Sequence, residues 1–188
     1  GSSRDYNVAI GYAAMRNATP HISIAIGANA GQLLKDGAVG AIHIGHEAGR
    51  HASGSYNVSM GYGALKGTSS APYATGEKNV AIGSEALRDV TTGGTNVAVG
   101  YQSGYELTEG ANNTLVGPYA GYDLTTGTGN TLLGDSADGN NQTGTNNTIV
   151  GYQAGNGAHG SSHNSNDFFG YRAGFTITTG NSNVGIGL

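Results

Sequence analysis

Apolar positions along this chain recur as one short alternating triplet closed by a glycine. It appears as Val8-Ala9-Ile10-Gly11, again as Val97-Ala98-Val99-Gly100 and again as Thr131-Leu132-Leu133-Gly134. The closing glycines are Gly11, Gly27, Gly45, Gly61, Gly83, Gly100, Gly117, Gly134, Gly151, Gly170 and Gly187. Their successive spacings are 16, 18, 16, 22, 17, 17, 17, 17, 19 and 17 residues, so the 188-residue chain is an internal repeat along its whole length. Asn opens nine of the eleven copies, and the third residue after each of the first ten glycines is Ala, with Ser103 the one departure.

Each triplet is rich in β-branched residues and bracketed by Asn and Gly, which predicts a short strand. A repeat of about 17 residues with glycine corners predicts an all-β fold. The expectation is a parallel β-solenoid of about eleven coils, with two or three strands per coil, forming one domain over residues 1–188. Coils about 4.8 Å apart give a rod of roughly 50 Å. The glycine is expected at a corner that needs positive φ or close approach of the next coil. The Asn column is expected to stack as an amide ladder at another corner. The last triplet position is apolar in every copy and is taken as the inward core ladder, which turns the middle position outward. That middle column runs from Ala9, Ala25, His43 and Ser59 to Leu115, Leu132, Ile149 and Phe168. On this reading the last four form an apolar outer stripe, and an exposed stripe of that kind marks an interface. A homotrimer is expected, with Leu115, Leu132, Ile149 and Phe168 along its axis.

The run Asn96-Val-Ala-Val-Gly-Tyr-Gln-Ser-Gly104, the following Leu107-Thr108, and Leu124-Thr-Thr-Gly127 leading to Asn130-Thr131 resemble a repeat of phage tail fibres and bacterial surface fibres. Such repeats precede a self-cleaving chaperone of the endosialidase type, and Asn183-Val-Gly-Ile-Gly-Leu188 is similar to the junction before it. The chain is also similar to the head repeats of trimeric autotransporter adhesins, although its period is longer. The resemblance implies an extracellular, trimeric attachment module on a virion or a bacterial surface. Its partners would be further copies of itself and a cell-surface glycan or other receptor.

Composition narrows the alternatives. Glycine supplies 35 residues, nearly a fifth of the chain against a usual ~7%, and charged residues only 11% against ~25%. The net charge of −4 and the scattered Lys and Arg argue against a nucleic-acid surface. There is no apolar run long enough to insert in a membrane as a helix. No cysteine is present, so thiolate chemistry is excluded.

Candidate chemistry is sparse, and neither a cofactor nor a metal is expected. His21, His43, His46, His51 and Glu47 carry imidazole and carboxylate but not at a ligand spacing. Asp135–Asn141 fits no calcium loop, and Gly155–Gly160 matches a dinucleotide fingerprint without a helix to follow it. The pairs Glu106 with Glu109 and Asp123 with Asp138 keep a polysaccharide-degrading spike as the alternative to a non-enzymatic fibre. Tyr12, Tyr62, Tyr101, Tyr152 and Tyr171 each follow a corner glycine and are read as a partly buried ladder. The chain is expected either to be the shaft of a tip that lies elsewhere or to make receptor contact itself where the period stretches, at Tyr73 in the 22-residue interval and at His159 and His163 in the 19-residue interval.

Overall fold

The computed structural model describes residues 6–19, 21–34, 38–68 and 73–187. Every triplet is a three-residue strand. They are β1 (Val8–Ile10), β2 (Ile24–Ile26), β3 (Ile42–Ile44), β4 (Val58–Met60), β5 (Val80–Ile82), β6 (Val97–Val99), β7 (Thr114–Val116), β8 (Thr131–Leu133), β9 (Thr148–Val150), β10 (Asp167–Phe169) and β11 (Val184–Ile186). They pair in parallel and in sequence order to make a single 11-stranded sheet. No helix occurs among the described residues. The fold is therefore an all-β parallel solenoid of about ten turns, with one strand per coil rather than two or three.

The rest of the coil is a tight winding built from left-handed residues. The second and fourth positions after each corner glycine have positive φ on every rung, as at Gln102 (52°) with Gly104 (61°) and Ser136 (54°) with Asp138 (50°). Alternating hand keeps the backbone amides pointing along the rod. Gln102 N–H donates to the Ser84 carbonyl at 2.9 Å and Gly104 N–H to that of Ala120 at 2.9 Å, in the two opposite directions.

Two backbone columns explain the repeat. At the corner, Gly100 has φ 143°, and a Cβ there would lie 2.5 Å from the Gly117 carbonyl oxygen of the next rung. Both expected reasons for glycine hold at once. The Asn column is a buried ladder, as expected: Asn113 N–H and Nδ2 each donate to Asn96 Oδ1 at 3.0 Å, and Nδ2 also reaches the Gly127 carbonyl at 2.9 Å. The left-handed residue is the one before it, such as Thr95 (60°) and Asn112 (59°), not the Asn itself.

The strands face the other way from the expectation. Middle residues Ala81, Ala98, Leu115, Leu132 and Ile149 are fully buried, and Phe168 is 4% exposed. First and third residues, such as Val116 (37%) and Phe169 (40%), lie outside. Leu115, Leu132, Ile149 and Phe168 thus belong to the core of one chain and cannot line an axis between chains. The physical reason is the width of the interior. The middle column packs across the lumen against the buried Ala column, third after the corner, and against the column fourth after it, within one core. These columns exchange volume. Ala81 shares its coil with Leu87, while Leu115 shares its coil with Gly121. A Cβ at Gly155 would meet Ile149 Cδ1 at 2.5 Å, and one at Gly174 would meet the Phe168 ring at 2.6 Å. The shift from small to large along the middle column is repacking of the lumen within and between neighbouring coils, as where the space over Gly104 is filled by Leu87 and Leu115.

Candidate functional site: an aromatic and amide groove beside the corner

The described side chains of one flank gather the unspent chemistry. The fifth position after each corner reads Arg50, Lys66, Arg88, Tyr105, Tyr122, Gly139, Asn156 and Phe175 in successive coils. Because each coil is stacked in register, these side chains form a row. Arg88 lies over the Tyr105 ring at 4.9 Å, and Tyr105 stacks on Tyr122 with centroids 5.1 Å apart. Tyr119 lies tilted against Tyr122 at 5.9 Å, and Tyr101 meets Tyr119 edge-on at 5.3 Å.

Gly139 interrupts that row. The missing side chain opens a slot of about 170 Å³ lined by Tyr119, Tyr122, Ser136, Gly139, Asn140 and Asn156. The sixth position after the corner is interrupted one coil later by Gly157. A second hollow of about 380 Å³ forms there, sharing Asn140 and Asn156 and adding Gln153, Arg172, Phe175 and Thr176. The polar groups are held in place. Asn140 Nδ2 donates to the Gly157 carbonyl at 2.7 Å, and Arg172 Nε donates to Gln153 Oε1 at 2.8 Å while its guanidinium covers Phe175 at 4.8 Å. The buried Oδ1 of Asn156 has no hydrogen-bond partner among the described residues.

The expected recognition residues separate. His159 is 73% exposed and reaches back to Asp123 Oδ2 at 2.5 Å, which pins the inserted loop next to the groove. His163 is fully buried and cannot touch a ligand; the expectation for it is corrected. It stands three residues before Asn166, the place held by Gly127 and Gly144 before Asn130 and Asn147, so its side chain turns into the lumen. There it meets Asp138 at 3.0 Å, with neither side chain exposed. Burial pulls the His163 pKa down, but the hydrogen bond and charge of Asp138 overcome this and leave it raised. Burial also raises Asp138 against the opposing pull of His163. Tyr73 stacks on His51 at 6.2 Å, far along the rod from the groove, in an insertion whose residues 69–72 lie outside the described residues.

No family model matches this chain, and it has no significant match among curated proteins or solved structures.

The remaining candidates do not converge. His43 is enclosed in the lumen, while His46 lies outside, stacked on Tyr62 at 5.5 Å, so they do not face a common ion. Asp138 is in the core and Asp135 outside, bonded to Ser136, which takes apart the Asp135–Asn141 cluster. Asp123 and Asp138 likewise point to opposite sides of the wall. The carboxylates that do approach are Glu106 and Asp123, on adjacent rungs of the sixth column, where burial and then the Asp123 charge raise the Glu106 pKa. The tyrosines after the corners are exposed, at 44% for Tyr152 and 76% for Tyr12, rather than partly buried. They stack along the rod surface, as Tyr152 does on Tyr171 at 5.6 Å. The groove was missed because its signal is an absence, two glycines interrupting columns that only the register makes visible.

Proposed function

We propose that the chain is a non-enzymatic fibre or adhesin module that works as a homotrimer outside the cell and attaches to a cell-surface glycan. The observation that carries this reading is the outer face of the sheet. Its third column is apolar on all eleven rungs, from Ile10 to Ile186, and its first column holds Val, Ile or Thr everywhere except Asp167. Such a continuous, nearly uncharged stripe is far from an ordinary solvated surface. A partner must match its rise rung by rung over about 50 Å, as ten intervals of ~4.8 Å require. A parallel copy of the same chain has that rise by construction, and closed symmetric assemblies of identical chains are the commonest kind. The resemblance to trimeric fibre repeats supports three copies.

Sedimentation equilibrium tests the reading. A trimer that Val116→Asp and Val150→Asp convert to folded monomers is the expected result. A monomeric parent protein, or a stable dimer, would overturn the assembly. Release of shortened sugars from a polysaccharide, abolished by Glu106→Gln, would replace the non-enzymatic reading with a hydrolytic one.

A further inference from the structure

We infer that the slot over Gly139 and the hollow over Gly157 form one binding groove for an uncharged, pyranose-based glycan, with one sugar ring seated between Tyr122 and Asn156. The inference rests on the attachment reading above and gives it a place on the molecule.

The dimensions come from the ladder. Tyr122 and Asn156 occupy the same column two rungs apart, about 10 Å for rungs ~4.8 Å apart. A ring packed at van der Waals distance, 3.5–4.0 Å from each wall, fills that gap with one ring's thickness. Gly139 is the floor, and a Cβ there would lie 3.3 Å from Asn156 Oδ1, so the side chain of Asn156 closes the slot from the next rung. Tyr122 offers an aromatic face to the apolar face of a sugar.

Chemistry of the walls selects the ligand class. Asn140, Asn156 and Gln153 both donate and accept, which suits vicinal hydroxyls, and Ser136 and Thr176 add hydroxyls of their own. Among the described residues, Arg172 is the one cation lining the groove, and its guanidinium is already engaged with Gln153 and Phe175. Asp123 and Glu106 precede Asn140 in its own column, one and two rungs away, and their negative charge opposes a polyanion. The second hollow continues past Asn140 toward Phe175, which gives an adjoining unit of an oligosaccharide its own aromatic contact.

The test uses the whole protein on an array of defined neutral and acidic oligosaccharides, followed by calorimetry with whichever oligosaccharide binds. Gly139→Gln is the decisive variant. It refills the row with a side chain that Gln32 already places there, and a Cβ at this site makes no contact under 3.3 Å. The expected result is binding of a neutral oligosaccharide that falls at least tenfold in Gly139→Gln, Tyr122→Ala and Asn156→Ala, with melting temperature and oligomeric state unchanged in Gly139→Gln. Undiminished binding in Gly139→Gln overturns the groove while leaving glycan attachment standing. A response confined to acidic glycans overturns the ligand class. Attachment to target cells with no glycan bound on the array overturns the inference in favour of a protein receptor, and absence of both sinks the attachment reading as well.

Discussion

Leu132 and Leu133 are neighbours on β8 and lie on opposite sides of its wall. Leu132 is fully buried among the side chains of its own coil, and Leu133 is on the outer face of the sheet. The same substitution at the two sites therefore has two outcomes. Leu132→Asp puts an unpaired charge in the lumen, at a cost of several kcal/mol, and is expected to abolish the folded β signal in circular dichroism. Leu133→Asp is expected to leave that signal intact and, if the chain forms the proposed homotrimer, to give monomers in sedimentation.

His43 places an imidazole in the lumen with Nδ1 2.7 Å from Ser59 Oγ, while Nε2 has no hydrogen-bond partner among the described residues. Burial lowers its pKa from 6.5 to about 4. The unfolded chain takes up a proton below pH 6.5 that the folded chain refuses until about pH 4. Stability from this group is thus complete above pH 6.5 and falls by about 3 kcal/mol as pH drops to 4. Urea titrations at pH 7 and pH 4.5 should show the loss, and His43→Leu should remove most of it.

His163 and Asp138 carry the opposite sign. With the His163 pKa raised in the folded state, its contribution is full below pH 6.5 and is lost as pH climbs through the raised value. His163→Ala leaves Asp138 buried and unpaired and should destabilise by about 3–5 kcal/mol. The triple variant Asp138→Gly, His163→Gly and Asn141→Leu restores what Gly121, Gly144 and Leu124 do in neighbouring rungs. It should recover parent stability or exceed it and flatten the alkaline slope in thermal melts.

Asn113 links three rungs, donating to Asn96 and to the Gly127 carbonyl and accepting from the N–H and Nδ2 of Asn130. Asn113→Ala strands the buried Asn130 amide and the Gly127 carbonyl. At about 1–3 kcal/mol for each unsatisfied group, a loss of about 2–6 kcal/mol is expected in denaturant titration.

Thr95 holds a left-handed conformation at φ 60°, an unfavourable place for a β-branched residue, where the next rung has Asn112 and another has Asn146. Thr95→Asn should raise stability by about 0.5–1 kcal/mol, read as a higher melting temperature. A drop would show that the Thr95 side chain contributes more than its backbone strain costs.

The repeat was legible wherever the backbone leaves no choice. Gly100 faces the Gly117 carbonyl and Asn113 bridges to Asn96, so these positions admit few residue types and stand out as columns. Facing was not legible from alternation, because Val97-Ala98-Val99 alternates equally well with either side inward. What decides is the fit of the middle residue to the space left by the other lumen columns of its own and neighbouring rungs, which takes Ala98 in one rung and Leu115 in the next. The same fit makes Gly121 the companion of Leu115, a compensation six residues apart that no single triplet displays. His163 had a signal, its place three residues before Asn166, where other rungs have glycine. Reading it as loop polarity hid a side chain that fills the lumen.

The ladder also dictates how such a rod carries a load. Backbone hydrogen bonds such as Val97 N–H to the Asn113 carbonyl at 2.8 Å span from rung to rung, along the long direction. Tension applied end to end therefore passes through ten seams in series, and the rod is as strong as its weakest one. The seam between the coil after β8 and the coil after β9 encloses the Asp138–His163 pair, and the coil after β9 carries the 19-residue interval. Pulled end to end, the rod would yield there first, behaving as a chain with a built-in shear pin, while the evenly spaced rungs from β5 to β8 keep their shape.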